Sequence, residues 1–480
     1  MIGNATLRGL PRIRRPAPGA ASRATGPVFV GGCLLAAAAG PIVSRSIAIG
    51  LAIGVVLALV SILALSARRP LGEVLIVTLL LVSALIDLPQ RISLGITTGQ
   101  GIETVGLVPL MGLAIANGYG ATGIRAMRIA IPLAGFVLWT LAAFSWGGVN
   151  KAGEQNVLVY LGFVLMIPIA ATLGRHRPVA TYRTMERGFL VAAVISLGLY
   201  SAGVVLAGVH GHGSNTVVSA RPFGLWGVIL VAWFMAGRSV GIRWSTWLVV
   251  AVVLLTTLSL SRSALGTQFA LIVLSRFEPK NFRGWFRSAG IAVAVVAVAV
   301  AAVFLIPPLH HRFFHGQTTN IGGVSLNTTG RIVLWSANWD AFLKSPVIGH
   351  GPGHSDMLTA ALLGHNAGHP HNDYLRLLVD YGVIGLAIWV IAYLALLVFT
   401  WRAWQATRGS RTSSERVHQA AFLALVGIAL CMSVDNPLIE IIKMAPLGAL
   451  VGLSIGMWKP RRAAAAGGAE RPVAVAVGSR

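Results

Sequence analysis

The feature that most constrains this chain is a long series of apolar runs, most of them long enough to cross a lipid bilayer. Of the 480 residues, 55% are hydrophobic and only 11% are charged. A globular core does not need so large an apolar fraction, whereas a set of membrane spans of roughly 17–25 residues each does. The fold class that we predict is therefore all-α, a polytopic membrane helix bundle of about 12–14 transmembrane helices.

The order of the apolar runs predicts the domain organisation. We expect a basic N-terminal segment at 1–27, a transmembrane bundle at 28–308, a large outer loop at 309–373, C-terminal transmembrane helices at 374–458 and a tail at 459–480. The runs themselves fall at about 28–43, 46–66, 71–88, 103–118, 129–147, 156–173, 188–207, 222–236, 244–260, 263–276, 288–308, 374–400, 417–434 and 437–458, with errors of several residues at each end.

The distribution of positive charge predicts the orientation of the bundle. The net charge is +24, and Lys and Arg are concentrated in alternate short loops and in both terminal segments, including Arg8–Arg23 and Arg461–Arg462. Because cytoplasmic loops carry an excess of Lys and Arg, we expect both termini in the cytoplasm and the loop 309–373 on the outer face. We interpret the basic excess as a topology signal and an attraction to anionic membrane lipids, with no nucleic-acid partner.

The loop at 309–373 is the one long interruption of the apolar pattern, and we expect it to be partly helical. It holds eight of the twelve histidines of the chain. They are His310, His311, His315, His350, His354, His365, His369 and His371. Since long loops in compact proteins are usually functional, we expect the chemistry of the protein to lie on this face.

The first candidate cluster is the segment "TTGRIVLWSANWDAFLKSP". Thr329 is a candidate N-cap, and Pro346 ends the helix that the apolar spacing predicts. Arg331 then lies in the first turn, where the helix dipole disfavours a cation, unless an anion such as phosphate binds there. The alternative is a solvated arginine on an amphipathic surface helix, with Trp335 and Trp339 at the membrane interface.

The second candidate is Arg262 in "SLSRSALG", at the outer junction of two apolar runs. An arginine at that depth snorkels to the surface, pairs with an acid, or faces a polar cavity. The predicted topology places Arg262 on the same face as the long loop.

The third cluster is "GHGPGH", followed by "GHNAGHPHNDYLRLLVDYG". Gly349 and Gly351 permit tight backbone turns close to a ligand. His371 and Asn372 come directly before the helix that re-enters the membrane, where a histidine can act as a general base near neutral pH. The alternatives are a purely structural histidine, or a zinc site formed by His365, His369 and His371. No H-E-x-x-H or cysteine pairing supports such a site, so we expect no metal.

These motifs together resemble the outer-loop region of the bacterial O-antigen ligase and O-antigen polymerase superfamily of membrane glycosyltransferases. The features that carry the resemblance are "SLSRSALG", "GRIVLWSANWDAF", "SPVIGHGPG" and "HPHNDYLRLLVDYGVIGL", which cover about 130 residues, from 260 to 390. The superfamily also includes exopolysaccharide polymerases and protein O-oligosaccharyltransferases. Its members are often drawn with about twelve spans, slightly fewer than the runs counted above.

The resemblance implies transfer of a glycan from a polyprenyl-diphosphate-linked donor to an acceptor hydroxyl on the outer face of the inner membrane. The acceptor is lipid A–core, another glycan or a protein, and no cofactor is required. Carried over by motif, His371 is the base that deprotonates the acceptor, and Arg262 and Arg331 bind the donor diphosphate. Asn372, Gly349, Gly351 and Trp335 are expected in supporting roles, and no metal is expected.

Three other functions stay open at this point. An O-antigen polymerase and an exopolysaccharide polymerase share the motifs of a ligase, so the residues do not separate them. The third, from another class, is a transporter of lipid-linked glycans. A transporter is expected to carry ionisable residues near the bilayer midplane on several helices. Here the charges gather at the ends of the predicted helices, which favours an enzyme with an outward-facing site.

Overall fold

The computed structural model describes residues 70–85, 128–207, 220–276, 330–363 and 368–459, with shorter pieces between 107 and 115 and between 286 and 327. Several predictions fall outside these residues. They are the N-terminal segment 1–27, the runs at 28–43 and 46–66, nearly all of the tail, and the side chains of Thr329 and His365.

The described chain is a succession of helices interrupted by one small hairpin. In chain order these elements are α1 Leu71–Leu85, α2 Ile131–Ala142, α3 Phe144–Gly147, α4 Lys151–His176, α5 Pro178–Ala207, α6 Ala220–Ser239, α7 Ser245–Leu258, α8 Arg262–Ser275, α9 Pro307–Phe314, β1 Thr318–Ile321, β2 Val324–Asn327, α10 Arg331–Lys344, α11 His354–Leu363, α12 Asp373–Thr407, α13 Ser413–Met432 and α14 Ile441–Met457. Short 3₁₀ turns precede α2 and α14, at Arg128–Ala130 and Pro437–Ile439.

The prediction of an all-α polytopic membrane bundle is confirmed. Five of the described helices, α4, α5, α6, α12 and α13, are long and apolar enough to cross a membrane. Shorter apolar helices accompany them at Leu71–Leu85, Ile131–Gly147, Ser245–Leu258 and Ile441–Met457. The three short runs predicted between 222 and 276 form separate helices, α6, α7 and α8.

Close packing of small residues holds α4 against α14. A Cβ atom at Gly452 would lie 2.2 Å from the carbonyl oxygen of Ile167, and one at Gly456 would lie 2.2 Å from that of Ala171. Only glycine permits two backbones to approach this closely. Because lipid tails are as apolar as the side chains, close packing of this kind is a main source of helix association within a membrane. This pairing fixes the segment before α14 against the rest of the bundle.

The loop predicted at 309–373 is partly helical, as expected, but its described residues also contain an antiparallel hairpin. β1 pairs with β2 in the register Thr318↔Asn327 to Ile321↔Val324. Beyond the hairpin, Ala341 and Phe342 of α10 pack on Leu375 and Val379 in the first turns of α12, and Leu358 of α11 packs against the same cluster. The hairpin was not predicted because each strand has only four residues, too few to produce a clear alternating pattern.

Helix α10 differs in one detail from the sequence prediction. Its N-cap is Gly330, which has a φ of 73°, and no side chain caps the helix. Arg331 is then the first helical residue, so its predicted position in the first turn is correct. The helix ends at Lys344, two residues before Pro346, in agreement with the prediction.

Candidate functional site

His371 lies at the turn that leads into α12. Its φ is 53°, in the left-handed region that few residues other than glycine adopt. The side chain of Asn372 caps the helix by accepting a hydrogen bond from the backbone N–H of Leu375 at 3.1 Å. The imidazole Nδ1 of His371 faces Asp435 Oδ1 at a distance of 3.6 Å.

Asp435 is the centre of this cluster. Its side chain is almost fully buried, between α13 and α14, and it receives two hydrogen bonds from other helices. Arg221 Nε, at the start of α6, donates to Oδ1 at 2.6 Å, and the Ser263 hydroxyl, in the first turn of α8, donates to Oδ2 at 3.1 Å. The same arginine donates to Asn436 at 2.9 Å, which fixes its orientation.

Of the two arginines predicted to bind the donor, Arg331 contacts the segment that carries Asp435, and Arg262 is the chain neighbour of Ser263. Arg331 donates from one guanidinium nitrogen to the carbonyl oxygen of Val434 at 2.8 Å, one residue before Asp435. Arg262 is the first residue of α8 and precedes Ser263. The fold therefore brings together residues of α6, α8, α10, the turn before α12 and the turn after α13, which are far apart in the sequence.

The electrostatics of the cluster favour a neutral His371. Burial lowers the pKa of His371 below its ordinary value, and the charges of Arg221 and Arg331 act in the same direction, while Asp435 opposes them. A neutral imidazole at neutral pH is a proton acceptor, which is the state that a general base requires. With Nδ1 directed at Asp435, Nε2 is the nitrogen left for a substrate hydroxyl.

Asp435 is held in its charged form. Burial alone would raise the pKa of this carboxyl, but the charge of Arg221 and the neighbouring His371 ring outweigh burial and hold it well below its ordinary range. A permanent carboxylate beside a histidine orients the ring and stabilises the imidazolium that forms when the base takes up a proton.

His369 belongs to a different cluster from His371. Its Nδ1 lies 2.8 Å from Asp356 Oδ1, and Asn156 donates to the other oxygen of that carboxylate at 2.9 Å. Arg376, fully buried, pairs with Asp373 and lies 3.9 Å from Asp356. His369 and Arg376 hold the pKa of Asp356 below its ordinary value, although burial opposes them. Among the described residues, no three potential ligands gather as a metal-binding group.

Gly349 and Gly351 are in contact with protein backbone. A Cβ at Gly351, where φ is 99°, would lie 2.3 Å from the Cα of Gly147, and one at Gly349 would lie 2.5 Å from the backbone of Asp380. The carboxylate of Asp380 in turn accepts hydrogen bonds from the N–H groups of Gly353 and Ser355. The motif "GHGPGH" therefore docks the outer loop onto α3 and α12, whereas the sequence prediction assigned these glycines to tight turns close to a ligand.

Trp335 supports the turn that carries His371. Its indole Nε1 donates to the carbonyl oxygen of Pro370 at 2.8 Å, directly before the histidine. The other side of the indole lines an open groove of about 520 Å³ between α10 and the start of α12. The groove is almost entirely apolar, and its lining comprises Ile332, Trp335, Ser336, Trp339, Asn372, Tyr374, Leu375 and Leu378.

Two charged members of the cluster were not identified as site residues from the sequence. Arg221 stands at the outer end of a predicted run, in "SARPFG", and Asp435 stands at the outer end of another, in "SVDNPL". Ionisable residues at membrane depth usually pair with one another, so the sequence could have marked both residues as candidates. It could not show which residues pair. Only the packing of α6 against α13 and α8 against α13 brings the partners together.

One comparison with known proteins gives a match to part of the chain. Residues 247–390 match the family model described as O-antigen ligase. The matched region contains Arg262, Arg331 and His371, whereas Arg221 and Asp435 lie outside it. No curated protein matches the chain.

Proposed function

We propose that this chain is a glycosyltransferase of the outer face of the inner membrane, since residues 247–390 match the family model described as O-antigen ligase. It transfers a glycan from a polyprenyl-diphosphate-linked donor to an acceptor hydroxyl, in the manner of a ligase. The observation that supports this proposal most strongly is the pairing of His371 with the buried carboxylate of Asp435, 3.6 Å apart, beside Arg331.

In this proposal, His371 acts through Nε2. The acceptor hydroxyl gives its proton to Nε2, and its oxygen forms a bond to the anomeric carbon of the donor sugar. The bond between that carbon and the diphosphate oxygen breaks, and its electron pair leaves with the polyprenyl diphosphate. Asp435 stabilises the imidazolium produced in this step.

The guanidinium groups of Arg262 and Arg331 bind the departing diphosphate. An arginine offers a planar fork of donors that fits phosphate oxygens, and its charge persists at any physiological pH. Two such groups stabilise the negative charge that develops on the leaving group, so that the step requires no metal ion. Arg221 has a different role, because it is bound to Asp435 and Asn436 and therefore positions the carboxylate behind the base.

Ligase, polymerase and protein glycosyltransferase differ in the acceptor that they use. The acceptor is identified from the envelope polysaccharide and the protein glycosylation of a strain that lacks the gene. Loss of polysaccharide attached to lipid A–core supports a ligase, short single-repeat chains support a polymerase, and unglycosylated protein supports the third activity. Reintroduction of the wild-type gene should restore the normal envelope profile, which would show that the phenotype results from loss of this protein.

The role of His371 is tested in the same deletion strain. We expect His371→Ala to insert normally but to lose transfer by a factor of about 10²–10⁴, the usual contribution of general base catalysis. His310→Ala, on α9, is the matched control and retains activity. Normal transfer by the His371→Ala protein would exclude it as the base.

A further inference from the structure

The outer layer exposes an unusual amount of apolar side chain for a region expected to face water. Along α10 and the turn that follows it, Trp339 is 49% exposed, Leu343 57% and Val347 59%, and Ile332 and Ile348 are also exposed. Contiguous apolar surface of this kind marks a site of contact with a protein, a ligand or a membrane. We refer to these five residues as the apolar stripe.

The stripe occupies one side of α10. At about 100° per residue, Ile332, Trp339 and Leu343 fall within about 40° of one another around the helix. The exposed charged residues Asp340 and Lys344 lie about 80° and 120° from Ile332, and the buried Leu334 and Asn338 lie on the opposite side. The helix therefore has one face packed on protein, one apolar face with Ile332, Trp339 and Leu343, and between them a mixed face with Asp340, Lys344 and the exposed Val333. This division is typical of a helix lying in a membrane interface.

The distribution of charged residues along α12 indicates where the stripe lies relative to the bilayer. The helix has 35 residues, and its helical geometry is interrupted at Gly382, so it consists of two helical parts. From Val383 to Trp401 it contains no Asp, Glu, Lys or Arg, and this run is about 28 Å long. The buried charges Asp373, Arg376 and Asp380 all precede it. The outer edge of the hydrocarbon is therefore expected near Val383.

The turn after α10 meets α12 at that level. The N–H of Val383 donates to the carbonyl of Pro346 at 2.9 Å, and the N–H of Ile384 donates to the carbonyl of Val347 at 3.3 Å. The helical geometry is interrupted at Gly382, whose positive φ of 66° leaves these two N–H groups available to the turn. Val383 and Ile384 are themselves exposed, so Val347 and Ile348 continue the apolar surface of a membrane span.

We propose that the apolar stripe docks into the outer leaflet of the bilayer that α12 spans, so that α10 lies at the membrane surface with Asp340 and Lys344 directed towards water. We choose lipid as the partner of the stripe because the stripe is continuous with the exposed apolar surface of α12, at the level where the charged residues of α12 end. In terms of the proposed function, the apolar groove between α10 and α12 then opens towards the leaflet. A substrate with a hydrocarbon tail reaches Asn372 and His371 without leaving the membrane.

The test uses the full-length protein in phospholipid vesicles and needs no glycan transfer, so its outcome is independent of the proposed function. Leu343→Cys and Val347→Cys are each labelled with an environment-sensitive fluorophore. Asp340→Cys is the matched control, one helical turn away on the mixed face. The signal from Cys33 and Cys431 is measured on the unsubstituted chain and subtracted, and a monodisperse gel-filtration profile checks folding.

We expect the labels at Leu343 and Val347 to lose most of their fluorescence to nitroxide groups placed on the lipid acyl chains near the headgroup, and little to aqueous iodide. The label at Asp340 should show the reverse. Quenching by iodide at Leu343 and Val347 as strong as that at Asp340, with no effect of the lipid nitroxide, would overturn the proposal.

Discussion

His371 and Asp435, the proposed catalytic pair, are brought together from parts of the chain that no sequence motif connects. The histidine belongs to a motif that the sequence predicts as a site, "HPHN". The carboxylate comes from a short turn between two later helices, and its distance from His371 Nδ1, 3.6 Å, is set by the packing of α12 and α13. Orientation by a carboxylate is a common means of setting the tautomer and the basicity of a histidine.

The pair predicts a specific pH dependence. Because the neutral form of His371 is the base, activity rises with pH through its pKa and is constant above it. That pKa is lowered, so the rise occurs below the ordinary value of 6.5. Asp435 opposes the lowering, so Asp435→Asn should move the rise to still lower pH.

The Asp435→Asn variant should also decrease the plateau rate by a factor of up to about 10⁴, the loss seen when the carboxylate behind a general-base histidine is changed to an amide. The measurement is the rate of transfer between pH 4.5 and 8 for the wild-type and variant proteins. A matched control is Asp340→Asn, which changes an exposed carboxylate. A displacement of the rise to higher pH in Asp435→Asn would be incompatible with the proposed pairing.

At the scale of elements, the sequence predicts helix positions well and contacts between helices poorly. The runs at 71–88, 188–207 and 417–434 correspond to α1, α5 and α13, because a long apolar run in a membrane protein has no alternative to a helix. The position of Arg331 in the first turn of α10 was also predicted. The hairpin, the role of Asp356 as partner of His369, and the recruitment of Arg221 depend on tertiary packing, which local periodicity does not encode.

The glycine motif of the outer loop yields a prediction about packing. Gly351→Ala should destabilise the protein by about 1–3 kcal/mol, since the new methyl group would collide with the backbone of Gly147. Gly241→Ala is a close control, because Gly241 has nearly the same φ, 98°, but open space around the position of its Cβ. Both substitutions place a side chain at a positive φ, so the difference in their free energies of unfolding measures the steric collision alone.

Thermal unfolding of both variants in detergent, followed by the loss of the monodisperse gel-filtration peak, measures this difference. We expect a clearly lower midpoint for Gly351→Ala than for Gly241→Ala. Equal midpoints would mean that the outer loop does not dock closely on α3.

At the scale of the whole molecule, the arrangement of charges predicts a single orientation in the membrane. The cluster around Asp435 lies at one end of the bundle. The ion pair between Arg416 and Glu186, 2.7 Å, joins α13 and α5 at their N-terminal ends. Since cytoplasmic segments are enriched in Lys and Arg, we predict that Ser414 is cytoplasmic and that Gly368 is outside. Fusions of a compartment-sensitive reporter at the two positions measure this, and the same compartment for both would refute the predicted topology.

In the proposed mechanism, His371 and the arginines around it transfer a lipid-linked glycan without a metal ion. The most direct measurement is an assay with the purified protein in vesicles, a polyprenyl-diphosphate-linked donor and an acceptor, with and without excess EDTA. We expect transfer to continue at an unchanged rate in EDTA and to be lost in His371→Ala. Loss of transfer in EDTA with recovery on addition of zinc or magnesium would contradict the proposed mechanism.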